Sequence, residues 1–178
     1  MNFAFVFPGQ GSQSVGMMAA YGESVVIRQA FAEASEALGE DLWQMVADGP
    51  AEVLAQTVNT QPLMLTAGIA VYREWIARGG ALPSLVAGHS LGEYSALVAA
   101  GALDFQEAVK LVRLRAQAMQ EAVPQGEGAM AALLGLDEAV AVEACAEAAQ
   151  GEVVSAANLN SPGQIVIAGA RAAVERAM

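Results

Sequence analysis

The sequence is poor in the residue types that several common functions require. It contains one cysteine, Cys145, one histidine, His89, and one lysine, Lys110, and only 6% of its residues are aromatic. A single cysteine excludes an internal disulfide bond and is typical of a reducing compartment, so we expect a cytoplasmic protein. Eight basic against nineteen acidic residues give a net charge of −11. This composition lacks the basic stripe that nucleic-acid binding needs, so we expect no nucleic-acid partner.

Long uncharged stretches are present, but none of them predicts a membrane span. They cover residues 1–22, 53–72 and 153–170. Each is interrupted by polar or turn-forming residues, and the first has no basic region of the kind that opens a signal peptide. We therefore expect no contact with a membrane.

The first part of the chain alternates predicted strands and helices. The hydrophobic periodicity predicts strands at 2–7 and 84–87 and helices over 25–38, 62–78, 91–101 and 104–123. Thr60 is the predicted N-cap of helix 62–78, and Asp104 with Glu107 forms a predicted capping box at the start of helix 104–123. This alternation predicts a parallel α/β sheet over residues 1–125.

The pattern changes after residue 125. Strands are predicted at 129–136, 153–159 and 164–169, and helices at 137–149 and 171–178. The segment 160–163, Asn-Ser-Pro-Gly, is a strong turn signal between the last two strands. The order β-α-β-β-α is one strand short of a ferredoxin-like βαββαβ unit, so we expect a second domain over 126–178.

A Gly-x-Ser-x-Gly motif, residues 88–92, lies between the second predicted strand and the helix that follows it. In that context the motif is typical of a nucleophile elbow, in which Ser90 is exposed on a sharp turn. Gly88 and Gly92 have no Cβ, which permits close passage of strand and helix. The alternative is an ordinary glycine-rich turn in which Ser90 caps the helix.

A nucleophilic serine needs a base and donors for an oxyanion. His89 is a poor base for Ser90, because successive side chains diverge at a tight turn, and we interpret it as a local packing or hydrogen-bonding residue. The backbone N–H groups of Leu91 and Gln10 are candidate oxyanion donors if the first strand lies near the elbow strand. The alternative for residues 8–13 is an ordinary loop.

Arg115 is the most informative charge in the sequence. It lies at the margin of the apolar face of helix 104–123, where its planar guanidinium can bind a substrate carboxylate. The alternative is a surface arginine whose stem covers apolar atoms, with Arg113 as the comparator.

Five segments together resemble the malonyl-CoA:acyl carrier protein transacylases of bacterial fatty-acid synthesis. They follow the order and spacing of that family over nearly the whole chain. The segments are 5–13, 60–62, 87–94, Arg115 and 158–164.

The resemblance implies a fold and a reaction. The fold is an α/β-hydrolase-like parallel sheet domain, residues 1–125, with an inserted ferredoxin-like small subdomain, residues 126–178, here incomplete. The reaction is ping-pong: malonyl passes from coenzyme A to a serine and then to the pantetheine thiol of acyl carrier protein. No metal or other cofactor is implied, since malonyl-CoA is a substrate and the partner carries the phosphopantetheine.

The resemblance also implies roles for individual residues. Ser90 is the nucleophile, the backbone N–H groups of Gln10 and Leu91 form the oxyanion hole, and Arg115 binds the malonyl carboxylate. The elbow is supported by Gly88, His89 and Gly92. The family's catalytic histidine has no counterpart in these 178 residues, so we expect the chain alone to be inactive or impaired.

Three alternatives remain open from the residues. An acyltransferase domain of a polyketide synthase shares the elbow and the arginine, although a start at Met1 directly before the first strand favours a free-standing enzyme. A serine esterase of the α/β-hydrolase type is the second, and Arg115 argues against it because simple esters carry no carboxylate. An inactive fragment is the third.

Overall fold

The computed structural model describes residues 2–21, 23–124 and 126–178. The chain forms two compact units, 1–120 and 121–178. Met1 and residue 125, which lies at the predicted boundary, are outside the described residues. The division into domains 1–125 and 126–178 stays a prediction. In chain order the elements are β1 (Ala4–Phe7), a 3-10 turn (Ala19–Tyr21), α1 (Val25–Leu38), α2 (Leu42–Asp48), α3 (Ala51–Leu54), α4 (Thr57–Ala77), β2 (Leu85–Gly88), α5 (Leu91–Ala99), α6 (Phe105–Glu121), β3 (Gly128–Leu134), α7 (Glu138–Ala149), β4 (Val154–Ser161), β5 (Gln164–Ala170) and α8 (Arg171–Ala177).

The first unit contains a parallel sheet of β1 and β2, as the sequence predicts. The register pairs Phe7 with Gly88, so the carboxyl ends of the two strands lie side by side. Phe5 and Phe7 lie on one face of β1, because side chains alternate along a strand. Both rings contact Tyr72 of α4, with centroids 5.4 and 6.3 Å away. This pairing brings the loop after β1 next to the elbow after β2.

Helix α4 is the central element of the first unit. It packs against α1 and α5, and most of its length is buried because apolar residues occur on several of its sides. No helix in the described parts of the chain combines the length and the hydropathy needed to cross a lipid bilayer.

The predicted start of α4 is wrong. The helix begins at Thr57, five residues before the predicted start, and Thr60 lies inside it. The Thr60 hydroxyl donates to the carbonyls of Leu54 and Gln56 instead of accepting a bond from a backbone N–H. The helix therefore continues back through the residue that the sequence pattern marks as its cap.

Other helix boundaries agree with local capping signals. Helix α1 covers the predicted residues 25–38, and the Ser24 hydroxyl accepts a hydrogen bond from the N–H of Ile27. Asp104 accepts one from the N–H of Glu107 at 3.1 Å, which confirms the Asp104 half of the predicted capping box of α6, while the Glu107 carboxylate accepts from Lys110. The short helices α2 and α3 were not predicted, because seven and four residues are too few for a clear period.

The second unit has the predicted order β-α-β-β-α. Its three strands form an antiparallel sheet in the order β3-β5-β4, and α7 and α8 contribute to its apolar core. Strands β4 and β5 are joined at Pro162 and Gly163, and Gly163 has a φ of 76°, so the predicted turn is confirmed.

Candidate active site

Ser90 lies between the last residue of β2 and the first residue of α5, where the motif predicts it. Its backbone has a φ of 52° and a ψ of −110°, an uncommon conformation for a residue other than glycine. Its side chain makes no capping hydrogen bond to α5. The alternative of a capping serine is therefore wrong, and the hydroxyl is available for other partners.

The glycines of the motif allow three backbone segments to meet at the elbow. A Cβ on Gly88 would overlap the carbonyl of Gly92, and a Cβ on Gly92 would overlap the carbonyl of Phe7. The first contact joins β2 to α5, and the second joins α5 to β1. Any side chain at either position would push these segments apart, which explains why both positions are glycine.

The loop after β1 contacts the elbow through His89. The N–H of His89 donates to the carbonyl of Phe7 at 3.2 Å. A Cβ on Gly9 would lie 3.0 Å from the His89 carbonyl oxygen and 3.3 Å from Nδ1. The imidazole therefore lies against the Pro-Gly-Gln loop, and His89 links the two carboxyl-terminal loops of the sheet.

The two predicted oxyanion donors lie where these segments meet, Gln10 on the loop after β1 and Leu91 at the start of α5. Leu91 is the first residue of α5, so its backbone N–H has no acceptor within the helix. This N–H belongs to the positive end of the helix dipole. Gln10 is exposed, and its side-chain amide donates to the Thr57 hydroxyl of α4 at 3.1 Å. The condition set for Gln10, that the first strand lies beside the elbow strand, is met by the pairing of β1 and β2.

Arg115 lies at the predicted nucleophile. Its Nη2 donates to Ser90 Oγ at 2.9 Å, and its Cζ is 5.7 Å from the centroid of the Tyr94 ring. Arg113, two residues earlier, forms a bidentate ion pair with Glu40 at 2.7 and 2.6 Å. Of the two arginines, only Arg115 contacts the serine, and its donation to Oγ leaves the hydroxyl proton free for a base.

Sequence reasoning assigned no role to two α4 residues that contact the site. Gln61 is 1% exposed and its Oε1 accepts a hydrogen bond from Arg115 Nη1 at 2.7 Å. Thr57 binds the side chain of Gln10. The available signal was an amide directly before the apolar run of α4: such a residue, when buried, needs specific partners.

The described residues contain no cluster of three or more histidine, cysteine, aspartate or glutamate side chains arranged to hold a metal ion. The polar groups near Ser90 include the Arg115 guanidinium, which contacts its Oγ, the Gln61 amide bound to that guanidinium, and the backbone N–H of Leu91. These groups suit the binding of an anion or of a developing oxyanion.

The comparison with known families decides the identity of this domain. The model of the acyl transferase domain matches residues 4–178. This chain belongs to the acyl transferase domain family. The chain is 61% identical over 176 residues to the malonyl CoA-acyl carrier protein transacylase of Escherichia coli strain K12. The matched region covers 98% of this chain and 57% of that protein.

Solved acyl transferase structures are equally similar. The acyl-carrier-protein S-malonyltransferase from Burkholderia pseudomallei 1710b is 60% identical with a TM-score of 0.95, covering 99% of this chain and 58% of that one. A malonyl-transacylase in complex with a type II PKS acyl-carrier protein is 57% identical with a TM-score of 0.95, over 99% and 58% of the two chains. The chain thus spans less than two thirds of these relatives, and it shares their mixed α/β fold.

Proposed function

We propose that this domain takes part in the transfer of a malonyl group from malonyl-CoA to acyl carrier protein for fatty-acid synthesis. The observation that carries the proposal is the Arg115 guanidinium, hydrogen-bonded to Ser90 Oγ at 2.9 Å. A fixed cation beside an acyl-accepting serine suits an acyl group that ends in a carboxylate. The relatives named as malonyl transferases support the same substrate and partner.

The transfer consists of two exchanges at the same serine. Ser90 Oγ attacks the thioester carbonyl, its proton passes through a base to the departing sulfur, and coenzyme A leaves as the free thiol. The pantetheine thiol of acyl carrier protein then attacks the malonyl-serine ester, the C–O bond breaks, and Ser90 recovers a proton. The N–H groups of Gln10 and Leu91 would stabilise the oxyanion of each tetrahedral intermediate.

The proposal includes the remaining parts of the site and the fold. Gly88, His89 and Gly92 support the elbow, and no metal or bound cofactor takes part. The units correspond to a large α/β-hydrolase-like domain and an inserted ferredoxin-like subdomain of a cytoplasmic protein. His89 is the single histidine and lies against Gly9, so we assign the base to neither this residue nor this chain. We expect the 178 residues alone to be inactive or impaired in malonyl transfer.

The first test is acylation of Ser90, measured by intact mass at the full length that the gene encodes. After brief exposure to malonyl-CoA, the wild-type protein is expected to gain one malonyl group and the Ser90→Ala variant none. Ser84→Ala, which removes an exposed serine just before β2, is the matched control and should load normally. A folded wild-type protein that gains no malonyl group would contradict the proposal.

A second measurement distinguishes a malonyl transferase from a serine esterase. Arg115→Ala is expected to lose malonyl loading while it retains acetyl loading, because only the malonyl group carries a carboxylate for Arg115. Release of free malonate at the rate of loading, with no transfer to acyl carrier protein, would favour the esterase instead.

A further inference from the structure

Among the described residues, the Gln61 side chain has two hydrogen-bond partners, and both lie on α6. Its Oε1 accepts from Arg115 Nη1 at 2.7 Å, and its Nε2 donates to Met119 Sδ at 3.4 Å. Arg115 and Met119 are four residues apart and therefore occupy one face of that helix. Gln61 is 1% exposed, so losing either contact would leave a buried polar group without a partner, which is costly.

The chemistry of the partners determines which way the amide points. A guanidinium has only donors, so only the oxygen of Gln61 can face Arg115. A thioether sulfur has no hydrogen to donate, so the NH₂ group faces Met119. The orientation that allows Gln61 to hold Arg115 is thus the one in which both contacts are satisfied.

Two hydrogen bonds orient the guanidinium. Nη1 donates to Gln61 and Nη2 donates to Ser90 Oγ. An arginine side chain loses rotamer entropy when it is ordered, and a buried partner reduces that loss at the moment of substrate binding. Gln61 therefore keeps the cation directed at the nucleophile before any ligand arrives.

Gln61, the partner of Arg115, is neutral, whereas Glu40, the partner of Arg113, is charged. Arg113 is bound by the carboxylate of Glu40, which satisfies its charge. None of the ion pairs among the described residues includes Arg115. An amide orients a guanidinium without neutralising it, so the charge of Arg115 stays available to an incoming carboxylate.

We infer that Gln61 is a positioning residue that sets the preference of this site for acyl groups bearing a carboxylate. The inference rests on the proposed function, in which Arg115 binds the malonyl carboxylate. Gln61 itself does not touch the reacting atoms. It acts by holding Arg115 in place and by leaving its charge uncompensated.

The decisive variant is Gln61→Glu, which keeps the size and the acceptor oxygen but adds a charge that pairs with Arg115. In the full-length protein, we expect the malonyl-CoA concentration for half-maximal loading of Ser90 to rise at least about tenfold, the effect of losing one charge-assisted contact. Acetyl loading from acetyl-CoA should change by less than about threefold, because acetyl has no carboxylate. Gln106→Glu is the matched control, since it adds the same charge to the first turn of α6 and should leave the preference unchanged.

Further variants keep the test decisive if Gln61→Glu folds poorly. Gln61→Met is uncharged and should lower the malonyl preference less than Gln61→Glu does. In an Arg115→Ala background, Gln61→Glu should cause no additional loss of preference, because its effect passes through Arg115. The thermal unfolding midpoint of each variant shows whether it is folded.

The outcomes separate this inference from the proposed function. If the wild-type protein loads malonyl and both Gln61 variants keep its preference, or lose malonyl and acetyl loading equally, the inference is overturned while the proposed function stands. If the folded wild-type protein does not load malonyl on Ser90, both are overturned.

Discussion

At the scale of single residues, the elbow depends on two missing side chains. Gly88 and Gly92 lie where β1, β2 and α5 approach most closely, and a Cβ at either position would overlap a carbonyl group. Ser90, between them, has a backbone conformation that non-glycine residues rarely adopt. The absence of side chains at the two glycines lets that strained serine project from the turn.

The first prediction compares two glycine-to-alanine substitutions, one at the end of β2 and one in the turn after α5. Gly88→Ala should lower the free energy of unfolding by more than about 2 kcal/mol, because the new methyl group overlaps backbone atoms that cannot rotate away. Gly101→Ala is the control: its Cβ would meet nothing within 4 Å, and only its φ of 71° opposes the change. That strain costs about 1 kcal/mol. Urea unfolding measures both, and equal losses would contradict the packing explanation.

At the scale of elements, α4 connects the core to the site. Its apolar residues share one core cluster with those of α1 and α6. Near its start, Thr57 binds Gln10 of the first loop and Gln61 binds Arg115 of α6. These two residues are four apart, so one side of the helix supports two predicted parts of the site. Packing and function therefore depend on the same helix.

The second prediction uses two fully buried threonines of α4 that differ in their hydrogen bonds. The Thr60 hydroxyl donates to backbone carbonyls, whereas Thr66 Oγ1 has no partner among the described residues. Thr60→Val should cost about 1–2 kcal/mol of unfolding free energy, since the carbonyls lose a buried donor. Thr66→Val should be neutral or stabilising, because it removes an unsatisfied buried hydroxyl.

Chemical denaturation of the two valine variants provides the measurement. Thr60 and Thr66 are both fully buried threonines of α4. The same substitution therefore makes a similar change in helix propensity at both positions, and the comparison largely removes it. A loss at Thr66 as large as that at Thr60 would contradict the hydrogen-bond explanation.

At the scale of the whole molecule, the two units carry different natural probes. Both tryptophans, Trp43 and Trp75, lie in the first unit, and the single cysteine, Cys145, lies in the second. Cys145 is buried in the core of its unit, and burial raises the pKa of its thiol. The thiol is therefore protected from labelling while that unit is folded.

The third prediction is that the second unit loses its structure first. It has 58 residues, 121–178, and a smaller core than the first unit, and a smaller domain buries a smaller fraction of the surface that its unfolded chain exposes. In a urea titration, Cys145 should become reactive to a thiol reagent at a lower concentration than that which changes the tryptophan fluorescence. A Cys145→Ser protein controls for unspecific labelling, and coincident midpoints would contradict the prediction.

Much of the fold was predictable because it follows from local signals. The bounds of α1 agree with the hydrophobic period and a serine cap, and the hairpin of the second unit follows from its Pro-Gly turn. The start of α4 was not predictable, because Thr60 uses its hydroxyl on carbonyls of the preceding turn. The same side chain suits a cap or a helix interior, and only the surrounding packing selects one.

The site divides in the same way between local and distant information. The sequence by itself determined the elbow: two glycines and a serine within five residues, followed by a predicted helix. It also singled out Arg115, at the margin of an apolar helix face, but it left a surface arginine like Arg113 open as the alternative. The tertiary structure decided between them, because the packing of α6 brings one to Glu40 and the other to Ser90 and Gln61. Those contacts join residues 25 to 73 positions apart, and contacts over such distances are set by how helices pack and not by local preference.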